Sequence, residues 1–185
     1  MSSYTLQTPE SAAESARPVL EKARSTHGFV PNLYAGLANA PEALLAYISL
    51  SGHFDKTSLT PQERQTVLLV ASVENGCEFC VAVHSFIAKK MAGVPEDVVK
   101  ALREGKEPAD AKLAALAAFT LAVVKDRGWV ADSPALARLL ASGYSKEQAL
   151  EVVLGVVQKT LSNYASHLLK TPLNSQFESE RWQRG

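Results

Sequence analysis

The chain of 185 residues lacks the features that mark several common classes of protein. It has no net formal charge, so it does not carry the basic surface that is typical of nucleic-acid or membrane-surface binding. Its longest apolar run, residues 113–124, is too short to span a bilayer. Its first residues do not form a basic-then-apolar signal sequence. We therefore expect a cytoplasmic protein without nucleic-acid or membrane partners.

Cysteine is scarce, since Cys77 and Cys80 are the only two in the sequence. Structural zinc needs four ligands, usually from two pairs of cysteine or histidine. No further cysteine exists, and the histidines other than His84 are scattered, at positions 27, 53 and 167. We therefore expect no metal and no cofactor. Half of a zinc site and a pair of buried structural cysteines are the alternative interpretations of the two thiols.

Strand signals are also missing, because no segment shows a convincing alternation of period two. Apolar residues make up 46% and charged residues 21%, which is ordinary for a soluble globular protein. We expect one all-α domain over residues 1–185. Helices are predicted to begin near Pro9, Pro31, Pro41, Pro61, Cys77, Pro95, Pro108, Pro134 and Ser145.

The helix start with the most signals is Thr60-Pro61-Gln62-Glu63. Thr60 is predicted to be the cap, Pro61 takes the first helical position, and Glu63 closes a capping box. Asn75-Gly76 is typical of a helix end. A second helix should then begin near Cys77, with the cysteine pair at its N-terminus.

Cys77, Cys80 and His84 are spaced so that they share one face of this second helix. The partial positive charge and the unpaired N–H groups of a helix N-terminus favour a thiolate, which is the nucleophilic form of cysteine. CxxC pairs at helix starts can have thiol pKa values of about 3.5–7.5. His84 could take or give a proton, or it could be an ordinary buried histidine. Two thiols and a base are sufficient for a cycle of oxidation and disulfide closure.

Four stretches carry a resemblance to a known family: Leu59-Thr-Pro-Gln-Glu-Arg-Gln65, Asn75-Gly-Cys-x-x-Cys-x-x-x-His84, Gly93-Val-Pro95 and Val30-Pro-Asn-Leu33. They resemble the AhpD-like alkylhydroperoxidases, including their peroxidase-related members, within the carboxymuconolactone decarboxylase superfamily. The resemblance is sharp over residues 59–95 and looser over about 28–170. It implies an AhpD-like helical fold, with a CxxC-bearing half at about 28–105 and a degenerate second half at about 108–172.

The resemblance also implies roles for the site residues. Cys80 would be the peroxidatic thiol, Cys77 the resolving thiol and His84 the proton relay. The family motif has a glutamate twelve residues before the first cysteine, and that position is Gln65 here. A glutamine can hydrogen-bond an imidazole but cannot carry its proton. Glu63 is the nearest carboxylate upstream, and we favour a capping-box role for it over a catalytic one.

The second half of the chain contains a second capping box, Ser145 to Gln148. When Ser145 is aligned on Thr60, Ser162 falls on Cys77, so we expect a second helix pair without thiols. The tail carries Phe177 and Trp182 and is expected to dock on a neighbour or to fray.

Three functions stay open from the sequence. The first is a thiol-dependent alkyl hydroperoxide reductase with a CxxC disulfide cycle, which needs a peroxide substrate and an external dithiol or disulfide reductase. The second is a carboxymuconolactone-decarboxylase-type lyase, in which His84 does the acid–base chemistry. The third is a non-enzymatic thiol redox sensor. The resemblance further implies a homo-oligomer, a trimer or a hexamer, and apolar residues of the last long helix could form part of its interface.

Overall fold

The structure is a computed structural model that describes residues 4–184. Within this range the fold is all-α, as expected, with nine α-helices, a C-terminal 3₁₀ helix at Ser175–Glu180, and no strand. No helix of the described chain is long and apolar enough to cross a membrane. The α-helices are α1 (Arg17–His27), α2 (Asn32–Leu37), α3 (Pro41–Phe54), α4 (Pro61–Glu74), α5 (Glu78–Lys90), α6 (Glu96–Arg103), α7 (Ala111–Lys125), α8 (Pro134–Ala141) and α9 (Lys146–Leu169).

Both predicted capping boxes are confirmed. The Thr60 hydroxyl accepts from the Glu63 N–H, and the Glu63 carboxylate accepts from the Thr60 N–H at 2.8 Å. Ser145 and Gln148 make the same reciprocal pair at the start of α9. Each such cap satisfies N–H groups that the helix itself leaves unpaired, and losing one costs about 0.5–2 kcal/mol.

The chain breaks between α4 and α5 where the sequence predicts it. Gly76 has a φ of 66°, in the left-handed region that glycine adopts without strain. Cys77 then takes an extended conformation as the N-cap of α5, and its N–H donates to the Ser72 carbonyl at 2.9 Å. Cys80 therefore lies in the first turn of α5, at the positive end of the helix dipole.

Helix α4 lies at the centre of the fold and packs against α5, α7 and α9. The approach of α9 is close because Gly155 has no side chain. A Cβ atom at this position would lie 2.7 Å from the Phe54 ring and 2.8 Å from Val67 Cγ1. This contact sets the position of α9 along the axis of α4. The two turns of α9 that follow Gly155 then lie alongside α5 and the cysteine pair.

Helix α1 begins later than the sequence suggests. Residues 8–16 form turns, in which Thr8 and Ser11 hydrogen-bond each other, and the helix starts only at Arg17. A helix from Pro9 would place Pro18 in its interior, where the ring clashes with the preceding turn. With a start at Arg17, Pro18 occupies the first turn, where proline is tolerated.

The second half of the chain does not contain the expected helix pair. Helix α9 runs without a break over 24 residues. The position that aligns with Gly76 is Leu161, which gives the chain no left-handed turn. Whether the two halves form a structural repeat stays a prediction.

Of the two expected alternatives, the C-terminal tail docks, and its neighbours are α5 and α6 of its own chain. Phe177 is buried and contacts the Phe86 ring edge-on at a centroid distance of 5.4 Å. The Trp182 indole N–H donates to the Arg103 carbonyl at 3.2 Å. The tail therefore covers one side of α5.

The outward face of α9 carries an exposed apolar stripe. Val152 and Val156 are buried, whereas Val153 and Val157 are not. The stripe consists of Leu150, Val153, Val157, Tyr164 and Leu168, of which Leu150 is 73% exposed. Large exposed apolar patches mark interaction sites in many proteins. The homo-oligomer stays a prediction, and this stripe is a candidate for its interface.

Candidate active site

The two cysteines are both reduced and both only 1% exposed. Cys77 lies nearer the start of α5, yet it is no more accessible than Cys80. Cys77 packs in an apolar cluster with Ala12 and Ala16, below the N-terminal turns. Cys80 instead forms part of the wall of a cavity. The exposed helix start is further covered by the tail, where the Arg184 N–H donates to the Glu78 carboxylate at 3.3 Å.

The two thiols have opposite ionisation preferences. The Cys77 thiol donates a hydrogen bond to Cys80, and this lowers the pKa of Cys80 to about 6 even though burial opposes the shift. The positive charge of Lys159 and hydrogen bonds from Asn163 and Ser162 lower the pKa of Cys80 further. The same Cys77–Cys80 hydrogen bond, with burial, raises the pKa of Cys77. Cys80 is therefore the more acidic thiol of the pair, and its thiolate is favoured over that of Cys77.

His84 is buried and held at both ring nitrogens. The Lys159 Nζ lies 2.8 Å from His84 Nε2, and the Gln65 Oε1 lies 3.0 Å from His84 Nδ1. An ammonium can only donate and an amide oxygen can only accept. The ring is thus the neutral tautomer with its proton on Nδ1. Burial, together with the charge of Lys159, holds the pKa of His84 well below its usual value.

This arrangement limits what His84 can do. Its side chain and that of Cys80 line the same cavity, as their spacing on α5 predicts. Because Lys159 already donates to the only lone pair of the neutral ring, no nitrogen of His84 is left to take the proton of Cys80. The expected contact between Gln65 and His84 is present, and Gln65 also lines the cavity.

Glu63 lies outside this group. Its carboxylate accepts from the Thr60 N–H at 2.8 Å and pairs with Lys112 Nζ at 3.0 Å. Burial raises the pKa of Glu63, but the bonds from Thr60 and Lys112 outweigh it, so the pKa is lowered overall. Glu63 does not line the cavity that holds Cys80, and its contacts are those of a capping and packing residue.

The cavity has a volume of about 560 Å³, which falls in the range of small-molecule sites. Gln158 lines the cavity, and its buried Oε1 atom has no hydrogen-bond partner within the described chain. The polar residues that line the cavity include Gln65, Cys80, His84, Gln158 and Lys159. The aromatic side chains of its wall are Phe29, Tyr34, Tyr47, Phe79, Phe86 and Phe177.

Three residues on α9 were missed by the sequence reasoning: Lys159, Ser162 and Asn163. They share one helix face with the buried Val152 and Val156. The available signal was a lysine on the apolar stripe of a long helix, because lysine is almost never fully buried unless it is paired.

The comparisons with known proteins agree with this fold. The carboxymuconolactone decarboxylase family model matches residues 37–124. A peroxidase-related protein with an alkylhydroperoxidase AhpD core from Ralstonia eutropha JMP134 is 22% identical, with a TM-score of 0.84 over 94% of this chain and 93% of that one. A peroxidase-related protein from Silicibacter sp. TM1040 is 16% identical, with a TM-score of 0.80 over 96% and 93%.

A third similar structure is the C82A variant of the debrominase Bmp8 in complex with 2,3,4-tribromopyrrole. It is 20% identical, with a TM-score of 0.76, and the match covers 97% of both chains. No curated protein sequence matches the chain. The fold is the AhpD-like helical fold, and in this chain it holds a buried CxxC pair. Residues 37–124 are therefore similar to the carboxymuconolactone decarboxylase family, and the chain as a whole has the fold of these AhpD-like structures.

Proposed function

We propose that the protein is a thiol-dependent alkyl hydroperoxide reductase in which Cys80 is the peroxidatic thiol and Cys77 the resolving one. The observation that carries this proposal is the asymmetry of the pair. The pKa of Cys80 is lowered to about 6, and Cys80 opens onto a cavity, while Cys77 stays protonated behind it. The thiolate is the form of cysteine that attacks a peroxide.

The cycle is balanced with the two thiols and one external dithiol. The Cys80 thiolate attacks the O–O bond, forms an S–O bond and becomes a sulfenic acid, and the leaving oxygen takes up a proton as an alcohol or water. The Cys77 thiol then attacks the sulfenic sulfur, a disulfide forms and water leaves. A dithiol reduces this disulfide by exchange, supplies two electrons and two protons, and is itself oxidised.

The cavity favours an organic peroxide over a small polar one. Its wall is mostly aromatic and aliphatic, so an apolar substituent of the peroxide would be buried there at a gain of about 25 cal/mol per Å². The single donor of a hydroperoxide, its O–H group, matches the unpaired Gln158 Oε1.

Reductive dehalogenation is a second candidate. The match to a debrominase over nearly all of both chains, together with the aromatic wall, favours it. Here the Cys80 thiolate would take the halogen from an aryl halide, the ring carbon would take a proton, and Cys77 would displace halide as the disulfide forms. A lyase is less favoured, because both ring nitrogens of His84 are engaged.

One experiment separates these functions. The reduced protein is mixed with cumene hydroperoxide or with 2,3,4-tribromopyrrole in the presence of dithiothreitol, and loss of peroxide or release of bromide is measured. We expect peroxide loss that Cys80→Ser abolishes, and a dimedone-reactive sulfenic acid on Cys80 in Cys77→Ser. Ser49→Ala, an exposed serine outside the cavity, is the control.

Each contrary outcome points elsewhere. Bromide release without peroxide loss would establish the dehalogenase instead. Turnover of a lactone or β-keto acid that survives both cysteine changes would indicate the lyase. A shift in oligomeric state on oxidation, without turnover, would indicate the sensor.

A further inference from the structure

Lys159 is fully buried, with no exposed surface, and its charge has no carboxylate partner. No carboxylate of residues 4–184 forms an ion pair with it. Its hydrogen-bond partner is the neutral ring of His84. A buried ammonium without a counter-charge is costly, and proteins rarely keep one without a function. Cys80 lines the same cavity, and the positive charge of Lys159 lowers its pKa, which favours the thiolate.

We propose that Lys159 is the catalytic acid of this site, and that His84 and Gln65 are the residues that position it. The Lys159 ammonium holds Cys80 as a thiolate and then protonates the oxygen that leaves when the O–O bond breaks. This inference rests on the proposed peroxide reduction, and it assigns to Lys159 the proton transfer that the family pattern gives to the histidine.

The protons balance over the whole cycle, because the proton that Lys159 donates is restored when the disulfide is reduced. As the Cys80 sulfur bonds to the outer peroxide oxygen, the electron pair of the O–O bond goes to the leaving alkoxide, which takes a proton from Lys159. Disulfide formation then joins the Cys77 thiol and the Cys80 sulfenic acid and releases water, with the proton of Cys77 in that water. The external dithiol supplies two protons on reduction, one for Cys77 and one that returns the lysine amine to its ammonium form.

The hydrogen bond between Lys159 and His84 also explains why residue 65 is a glutamine and not a glutamate. A glutamate at this position would hold a second proton on His84, since a carboxylate 3.0 Å from Nδ1 favours the imidazolium. The Nε2 atom would then also be a donor, and it would face the Lys159 ammonium at 2.8 Å. Glutamine avoids this conflict, because it accepts from Nδ1–H without adding charge. The positive charge of the site is thus on Lys159 instead of on the histidine.

Other titratable groups also face the cavity. Burial raises the pKa of Tyr34 and of Tyr47, so both stay neutral over the working range of pH. His27 and Asp55 are exposed residues that also line the cavity. Asp55→Asn and His27→Gln therefore serve as controls for any pH dependence assigned to Lys159.

The first test titrates the Cys80 thiolate by its ultraviolet absorbance and measures single-turnover oxidation by cumene hydroperoxide. Lys159→Met removes the charge and should raise the pKa of Cys80 by about 1–3 units and slow oxidation. Lys159→Arg keeps the charge but holds its proton too tightly to act as an acid. It should retain the low pKa and still slow oxidation, by about 10²–10⁴-fold. Lys146→Met, at an exposed lysine on the same helix, should change neither.

The second test combines substitutions at positions 65 and 159. Gln65→Glu should slow oxidation in the normal protein, where it opposes Lys159. It should speed oxidation in the Lys159→Met protein, where His84 is then free to become the missing cation. A packing role for Lys159 predicts no such change of sign.

The outcomes distinguish a failure of the proposed role of Lys159 from a failure of the proposed peroxide reduction. An unchanged Cys80 pKa in Lys159→Met, or equal effects of Gln65→Glu in both backgrounds, overturns the role of Lys159. A normal protein that consumes no peroxide overturns the proposed function, while the thiolate titration still tests whether Lys159 holds the anion. If Lys159→Met does not fold by circular dichroism, Lys159→Gln replaces it in the same comparison.

Discussion

The hydrogen bond from Cys77 to Cys80 gives a quantitative prediction about thiol reactivity. A hydrogen bond to a charged group contributes about 1.5–3 kcal/mol, and one pKa unit corresponds to about 1.4 kcal/mol. Cys77→Ala removes the donor and should raise the pKa of Cys80 by roughly 1–2 units from about 6. Cys77→Ser keeps a donor at the same place and should leave this pKa nearly unchanged.

The assay is the rate of alkylation of Cys80 by iodoacetamide as a function of pH, followed by mass spectrometry of the peptide. With a pKa of about 6, roughly nine-tenths of Cys80 is thiolate at pH 7, whereas an ordinary cysteine is about 3% thiolate. In Cys77→Ala the rate at pH 7 should fall several-fold and recover at pH 9. Equal titration curves for the alanine and serine variants would refute the assignment of Cys77 as the donor.

Three further predictions follow from separate parts of the structure. Peroxide treatment should link Cys77 and Cys80 within one molecule, seen as a loss of two hydrogens from one peptide, whereas over-oxidised or intermolecularly linked cysteines would contradict the resolving role. Gly155→Ala should lower the free energy of unfolding, measured by urea titration, by about 1–3 kcal/mol, because the added Cβ would collide with Phe54 and Val67. The control is Gly52→Ala, at an exposed helix position with open space, which should raise the free energy of unfolding by roughly 0.5–1 kcal/mol. If the α9 stripe forms a homo-oligomer interface, Leu150→Glu should reduce the mass found by sedimentation, and an unchanged mass would place the interface elsewhere.

Much of the fold could be predicted from the sequence where the determinants are local. The Thr60 cap, its Glu63 partner and the Gly76 turn act within a few residues, so they fix the cysteine pair at the start of α5 regardless of the rest of the chain. The contact between Gln65 and His84 could also be predicted, because the family resemblance identifies Gln65 as the residue at the position of the motif's glutamate.

The remainder depends on contacts between distant parts of the chain. Lys159 meets His84 across 75 residues, and no local pattern encodes that pairing. The burial of Cys77 depends on the N-terminal turns and the tail, whose packing the sequence does not reveal. Helix α1 begins at Arg17 and not near Pro9, because Pro18 is tolerated only in the first turn of a helix.

The buried Lys159 ties the redox chemistry of the site to the proton concentration of its surroundings. Oxidation of the pair to a disulfide removes the anion that balances the buried ammonium. If Lys159 yields its proton to the product as proposed, two protons accompany the two electrons of each reduction. The equilibrium constant for reduction then changes by two powers of ten, about 59 mV, for every unit of pH. A lysine that kept its charge would give half that slope, so the pH dependence of the midpoint potential counts the protons held around Cys80.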